Sequence, residues 1–189
     1  MTAAQRVRAF TGRCLLVVAL AGMAAKAADN RPGPEYEIKA AFLFNFAKFV
    51  EWPGLNESTT FNVCLVGEDP FGGHLESAFL GKSVHNLPVV IRRLGSQFAE
   101  ARSCQIVFVS TSERRRFKDV LSNLAGASVL TVSDCPSFPA AGGVVNFYLD
   151  DNRIRFEISP ENAEKGRLRI SSQLLRLARL VRDNGRDNR

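Results

Sequence analysis

The segment Tyr36 to Pro53, Y-E-I-K-A-A-F-L-F-N-F-A-K-F-V-E-W-P, constrains this chain most, with four of its fourteen phenylalanines and its only tryptophan. Ile38, Phe42, Phe46, Phe49 and Val50 recur at helical spacing. Tyr36, Ala40, Leu43 and Ala47 widen that stripe, leaving Glu37, Ala41, Lys48 and Glu51 on a narrow wet seam with Asn45 at its edge. Glu35 and Lys39 stand four apart in the favourable order for a helical ion pair. Pro53-Gly54 is expected to end the helix. A helix apolar over most of its circumference must be wrapped by the rest of a domain. The alternative is that part of its aromatic face is offered to a partner, and that face also allows a homodimer. Charges every few residues exclude a membrane span here.

The rest of the sequence supplies the wrapping. Phe61 to Val66, Leu87 to Leu94, Cys104 to Val109 and Ala127 to Val132 read as buried strands. Helices are expected between them: Asp69 to Leu80, with Asp69 as cap and Pro70 in the first turn; Gln97 to Arg102; and a helix through Leu124 opened by Ser110 and Glu113 at capping-box spacing. Alternation of this kind predicts a three-layer α/β domain, a mostly parallel sheet with helices on both faces. The end of the chain differs. Val144 to Leu149 and Arg153 to Ile158 flank the turn residues Asp150-Asp151-Asn152, a β-hairpin whose second strand alternates Ile154, Phe156 and Ile158 with Arg153, Arg155 and Glu157. A closing helix is expected from Ile170 to Val181.

Residues 1–27 read as a signal peptide: Arg6, Arg8 and Arg13, then an apolar run from Cys14 to Ala25, then Ala25-Lys26-Ala27, with cleavage between Ala27 and Ala28. Residues 28–34 form a tether with two prolines, 35–183 the single domain, and 184–189 a frayed tail. The formal charge of +6 shrinks without the leader, to 21 basic against 19 acidic residues, which gives no reason to propose a nucleic-acid partner. An exported chain meets an oxidising compartment. Cys64 and Cys104 fall on strands that are often neighbours in such sheets, so they either form a disulfide or pack as two thiols. Cys135 has no nearby cysteine in sequence.

Catalytic chemistry finds little support. Gly67 to Gly73 follows a strand and precedes a helix, but its glycines miss the dinucleotide spacing, and Glu68 and Asp69 would repel an anion. Gly81-Lys82-Ser83 lacks the earlier glycine of a phosphate loop, since Glu76 stands there. His74 and His85 lie on different elements, and no Cys/His cluster has metal-site spacing. No cofactor and no metal is expected. Arg155 and Glu157 on the wet face of the last strand, with Arg176, Leu174 and Leu177 from the closing helix, form the candidate partner-binding patch. The competing reading is a small-ligand cleft at the carboxyl ends of the strands, near Gly67 and Ser110.

The sequence also resembles a known family. Y-x-I-K-A-A-F-L-x-N-F-A-K-F-V-x-W-P, then F-N-V-C-L-V-G at 61–67, V-V-N-F-Y-L-D-D-N-R-I-R-F-E-I at 144–158 and I-S-S-Q-L-L-R-L-A-R at 170–179 are similar to the YfiR-like family of periplasmic regulators. The resemblance implies a non-enzymatic repressor that binds the periplasmic sensor part of an inner-membrane diguanylate cyclase. It implies sequestration by an outer-membrane OmpA-like lipoprotein, and control of cyclic di-GMP and biofilm. Disulfides stabilise members of that family, and a second late pair found in some is absent here.

Overall fold

A computed structural model describes residues 33–182. The signal-peptide reading, with Ala27 and Ala28, and the tail at 184–189 lie outside the described residues. The elements run α1 (Pro34–Phe49), β1 (Val50–Glu51), β2 (Phe61–Val66), α2 (His74–Phe79), β3 (Ser83–Val84), β4 (Leu87–Gly95), β5 (Ile106–Val109), α3 (Phe117–Leu124), β6 (Leu130–Ser133), β7 (Val145–Asp150), β8 (Arg153–Ile158), α4 (Pro160–Lys165), β9 (Arg169–Ile170), α5 (Ser172–Leu175) and β10 (Arg179–Leu180). Eight strands form one sheet in the order β10-β8-β7-β6-β5-β2-β4-β3, and β1 pairs with β9 in a separate ribbon. Strands β4, β2, β5, β6 and β7 run parallel. The hairpin strand β8 is antiparallel to β7, and β10 runs parallel to β8.

The parallel strands carry apolar residues on both faces because both faces are covered. Phe61, Val63 and Leu65 of β2 join Ile106, Phe108, Leu130 and Val132 in the core beneath α1 and α2. Cys64 and Val66 turn the other way, into a second core with Val107, Val109, Phe117, Val120 and Phe138. The aromatic helix is the centre of the first core. The Phe46 ring stacks on Phe147 with centroids 5.7 Å apart and meets Phe156 edge-on at 5.0 Å, and Phe42 touches the same two rings. Trp52 packs edge-on to Phe61 and donates its indole N–H to Gln105 O at 2.9 Å.

Four sequence expectations are corrected in detail. Helix α1 stops at Phe49 rather than at Pro53, because Val50 and Glu51 pair with Ile170 and Arg169. His85 Nε2, facing the carbonyls of Ala47 at 3.1 Å and Val50 at 3.2 Å, donates at that helix end. Asp69 and Pro70 form a turn in which Asp69 Oδ1 accepts from Phe71 N–H, and helix α2 starts only at His74. Ser110 caps as expected, but its hydroxyl accepts from Ser112 N–H, and the Glu113 carboxylate accepts from Ser96 Oγ instead of closing a capping box. The expected closing helix from Ile170 to Val181 is a single turn, α5, followed by an extended edge strand, β10. Arg179 and Leu180 gain ladder bonds to β8 that a continued helix would forgo.

Cys64 and Cys104 are joined by a disulfide, 40 residues apart in sequence with Cα atoms 6.0 Å apart. Cys104 sits two residues before β5, at the end of a 3-10 segment, not in the strand as expected. Cys135 is a buried free thiol.

Candidate docking site

The hairpin β7–β8 is closed by Asp151 and Asn152, both at positive φ (45° and 58°), the conformation a two-residue hairpin turn requires. That turn sets the register in which Asn146 lies opposite Glu157 and Tyr148 opposite Arg155. Strand β10 places Arg179 beside Glu157. The result is a polar row on the sheet face away from α1. Asn146 Nδ2 donates to Glu157 Oε1 at 3.1 Å, and Arg179 Nε donates to Glu157 Oε2 at 3.1 Å. A second guanidinium nitrogen of Arg179 reaches the same oxygen, and hydrogen bonding to Glu157 holds the Arg179 pKa above its ordinary value. The Arg179 guanidinium also sits 4.1 Å from the centroid of the Tyr148 ring.

The first turn of α1 closes one side of this region. Lys39 Nζ donates to Asp134 Oδ2 at 2.6 Å, Tyr36 donates its hydroxyl to the same oxygen at 2.8 Å, and Glu35 pairs with Lys39. Burial, reinforced by the Asp134 charge, pushes the Tyr36 phenol well above its usual pKa. Between the row and the turn lies a cleft of about 330 Å3, lined by Lys39, Asp134, Asn146, Tyr148, Glu157 and Arg179 among others. The buried atoms Asp134 Oδ1 and Asn146 Oδ1 accept no hydrogen bond from the described residues. Cys135 follows immediately, its thiol pKa raised by burial, so it stays protonated at neutral pH.

The residues expected from the sequence fall unequally on this surface. Arg155 is half-exposed and lies 3.7 Å from Asp150. Arg176 is exposed and Leu177 is 69% exposed. Glu157 is buried at 7% exposure, not on a wet face, because Asn146 and Arg179 flank it. Leu174 belongs to the core, 3% exposed, and is not available to a partner as expected. It points inward because α5 packs against α1. Sequence reasoning missed Lys39, Asp134, Asn146 and Tyr148. The Glu35–Lys39 spacing was visible, but nothing local shows that Asp134, 95 positions from Lys39, takes the lysine into the interior.

The cleft expected near Gly67 and Ser110 is filled there by the chain itself. A Cβ on Gly67 would stand 2.4 Å from Ser112 Oγ and 2.9 Å from Glu113 Cγ. One cleft among the described residues lies past the end of β6 instead. Among the described residues no group of three or more His, Cys, Asp or Glu side chains could hold a metal ion, and no helix is long and apolar enough to cross a membrane.

A family model described as YfiR/HmsC-like matches residues 36–179. Among solved structures the chain is similar to a conserved domain protein from Vibrio cholerae O1 biovar eltor, with a TM-score of 0.54 at 10% identity. The match covers 77% of this chain and 59% of that one, and at this identity it shows the fold alone.

Proposed function

This chain belongs to the YfiR/HmsC-like family, and we propose from that premise that it is a periplasmic regulator which docks onto the periplasmic region of an inner-membrane diguanylate cyclase and holds it inactive. Export would be through the signal peptide at 1–27. Repression would be linkage: the regulator shifts the cyclase only by binding its inactive state more tightly than its active one. An OmpA-like lipoprotein competing for the same face would relieve it. The reading includes no catalysis.

One observation supports this choice of docking face. On the last strands of the sheet and the turn before β10, Leu149, Leu177 and Leu180 are exposed at 58%, 69% and 51%, and Arg155 and Arg176 are exposed on the same segments. Exposed large apolar side chains mark interaction surfaces, and arginine is enriched at protein interfaces. The rigid row Asn146–Glu157–Arg179 fixes the backbone that displays them.

Affinity-tagged chain from periplasmic extract should retain a membrane protein bearing a cyclase domain. Arg155→Glu with Leu177→Asp should release it without lowering the melting temperature, since both side chains are exposed. A wild-type chain that retains no such protein contradicts the reading.

A second reading is favoured by the cleft of about 330 Å3 whose lining includes the carboxylates Glu35, Asp134 and Glu157. Such a lining suits a small ligand that donates hydrogen bonds, such as a primary amine. A thermal-shift screen of small amines separates this reading from pure docking, because binding would raise the melting temperature with ligand concentration.

A further inference from the structure

The sheet's edge beyond β8 is a strand of two residues with no neighbour on its outer side among the described residues. Val181 N–H donates inward to Ile158 O at 2.8 Å. Ladder groups alternate along a strand, so the N–H and C=O of Leu180, one residue earlier, face outward. Both residues of β10 are exposed, and so are Arg176 and Leu177 before it and Arg182 after it. An open edge of this kind is a template for another strand unless the fold blunts it.

The charge along the edge says what can lie there. Arg176, Arg179 and Arg182 recur every third position, and only Arg179 is held by a described carboxylate, Glu157. A second copy paired edge to edge would set these arginines against the same three of its partner. Like charges facing one another across a strand pair are destabilising, which disfavours self-association through this edge. An acidic strand meets no such cost, and its apolar residues would cover Leu177 and Leu180.

We propose that the β10 edge receives one extended, acidic segment of the partner protein as a ninth strand. Main-chain bonds to Leu180 would give affinity, and an apolar side chain over Leu180 with acidic side chains toward Arg176 and Arg182 would give selectivity. The inference rests on the docking reading and names the element of the partner that the regulator grips. Where the partner is the cyclase, a strand captured this way would fix its periplasmic region to the rigid sheet of the regulator.

The test uses the full mature chain and the purified periplasmic region of the cyclase that co-purifies with it. Leu180→Pro removes the one amide that faces outward, and proline is tolerated on an edge strand in that position. Leu180→Ala keeps the amide and loses the side chain. Loss of one main-chain bond corresponds to about a tenfold weaker Kd. We expect about that loss or more for Leu180→Pro, a smaller loss for Leu180→Ala, and unchanged melting temperatures for both. Arg176→Glu with Arg182→Glu should slow association and reduce its salt dependence. Hydrogen exchange at the Leu180 amide should slow when the cyclase region is added. If Leu180→Pro binds as tightly as the wild type while Arg155→Glu with Leu177→Asp does not, docking stands and strand addition is overturned. If Leu180→Pro instead dissolves a homodimer, the edge is a self-interface and the proposal fails. A wild-type chain that binds no cyclase region removes the docking reading and this inference together.

Discussion

At the β3–β4 end of the sheet Arg92 and Arg93 are held by the chain's own carboxylates, and at the β8–β10 end Arg176 and Arg182 are held by no described carboxylate. Arg93 donates to Asp69 at 2.7 Å, to Glu76 at 2.6 Å and to Gly72 O at 3.0 Å, while Arg92 pairs with Glu100. The hairpin strand β3, turned through His85 and Asn86 at positive φ, covers the first residues of β4. Both edges of the sheet are strands of two residues, but the arginines beside this one are satisfied by internal ion pairs. At the other end Arg155 pairs with Asp150 and Arg179 with Glu157, Arg176 and Arg182 stand free of described carboxylates, and Leu149, Leu177 and Leu180 are exposed. Similar chemistry, satisfied internally at one end and left open at the other, supports the proposal that the open end meets a partner.

The largest effect should come from the middle of the sheet. Replacing Cys64 and Cys104 by alanine opens a loop spanning 40 residues, which the chain-entropy account puts at about 4 kcal/mol of stability. Urea unfolding reads that loss. Partner binding by the fraction still folded should be unchanged, and a loss of binding there would break the distinction between stabilising and docking regions.

Next, Arg93→Ala at the β3–β4 end should lower stability by about 0.5–1 kcal/mol, since Arg93 and Glu76 are solvent-exposed and Asp69 is partly so. Its effect depends on pH. The Arg93 hydrogen bond holds the Glu76 pKa below its ordinary 4.5 in the folded state. The unfolded chain therefore binds the proton first, and the contribution is present above that value and lost as the pH falls through the lower folded one. Unfolding midpoints from pH 6 down to pH 3 should converge for wild type and Arg93→Ala. A constant gap across that range would assign the effect to lost packing.

The smallest stability effect belongs to the open edge. Arg176→Glu with Arg182→Glu should shift stability by less than about 0.5 kcal/mol, because both side chains are exposed and held by no described carboxylate. A large destabilisation would show that these arginines serve the fold, and the contrast between the two edges would fail.

The contrast was only partly legible in the sequence. The central strands were plain, because residues such as Val63, Leu65, Ile106 and Phe108 are buried on a parallel sheet and write continuous apolar runs. The hairpin was plain from its turn and the alternation from Arg153 to Ile158. The open edge was not. Leu174, Leu175, Ala178 and Val181 have helical spacing, and only the pairing of Arg179 and Leu180 with Glu157 and Ile158 turns that stretch into a strand. Glu157 looked wet by alternation and is buried, since its cover, Arg179, comes from that same misread stretch. Lys39 was read as a helix-surface partner of Glu35, whereas Asp134 draws it inside. Local spacing fixes elements, and the polar contacts that distinguish one edge from the other depend on residues far apart in sequence.

The central claim is that this chain lowers cyclic di-GMP by gripping a cyclase through the β10 end of the sheet. Cyclic di-GMP should be measured in cells lacking the gene and in cells complemented with wild type or with Arg155→Glu, Leu177→Asp, each at equal periplasmic level. The account predicts a high level without the gene, a low level with wild type, and a level that stays high with the double variant. An unchanged level on deletion, or full repression by the variant, would contradict it.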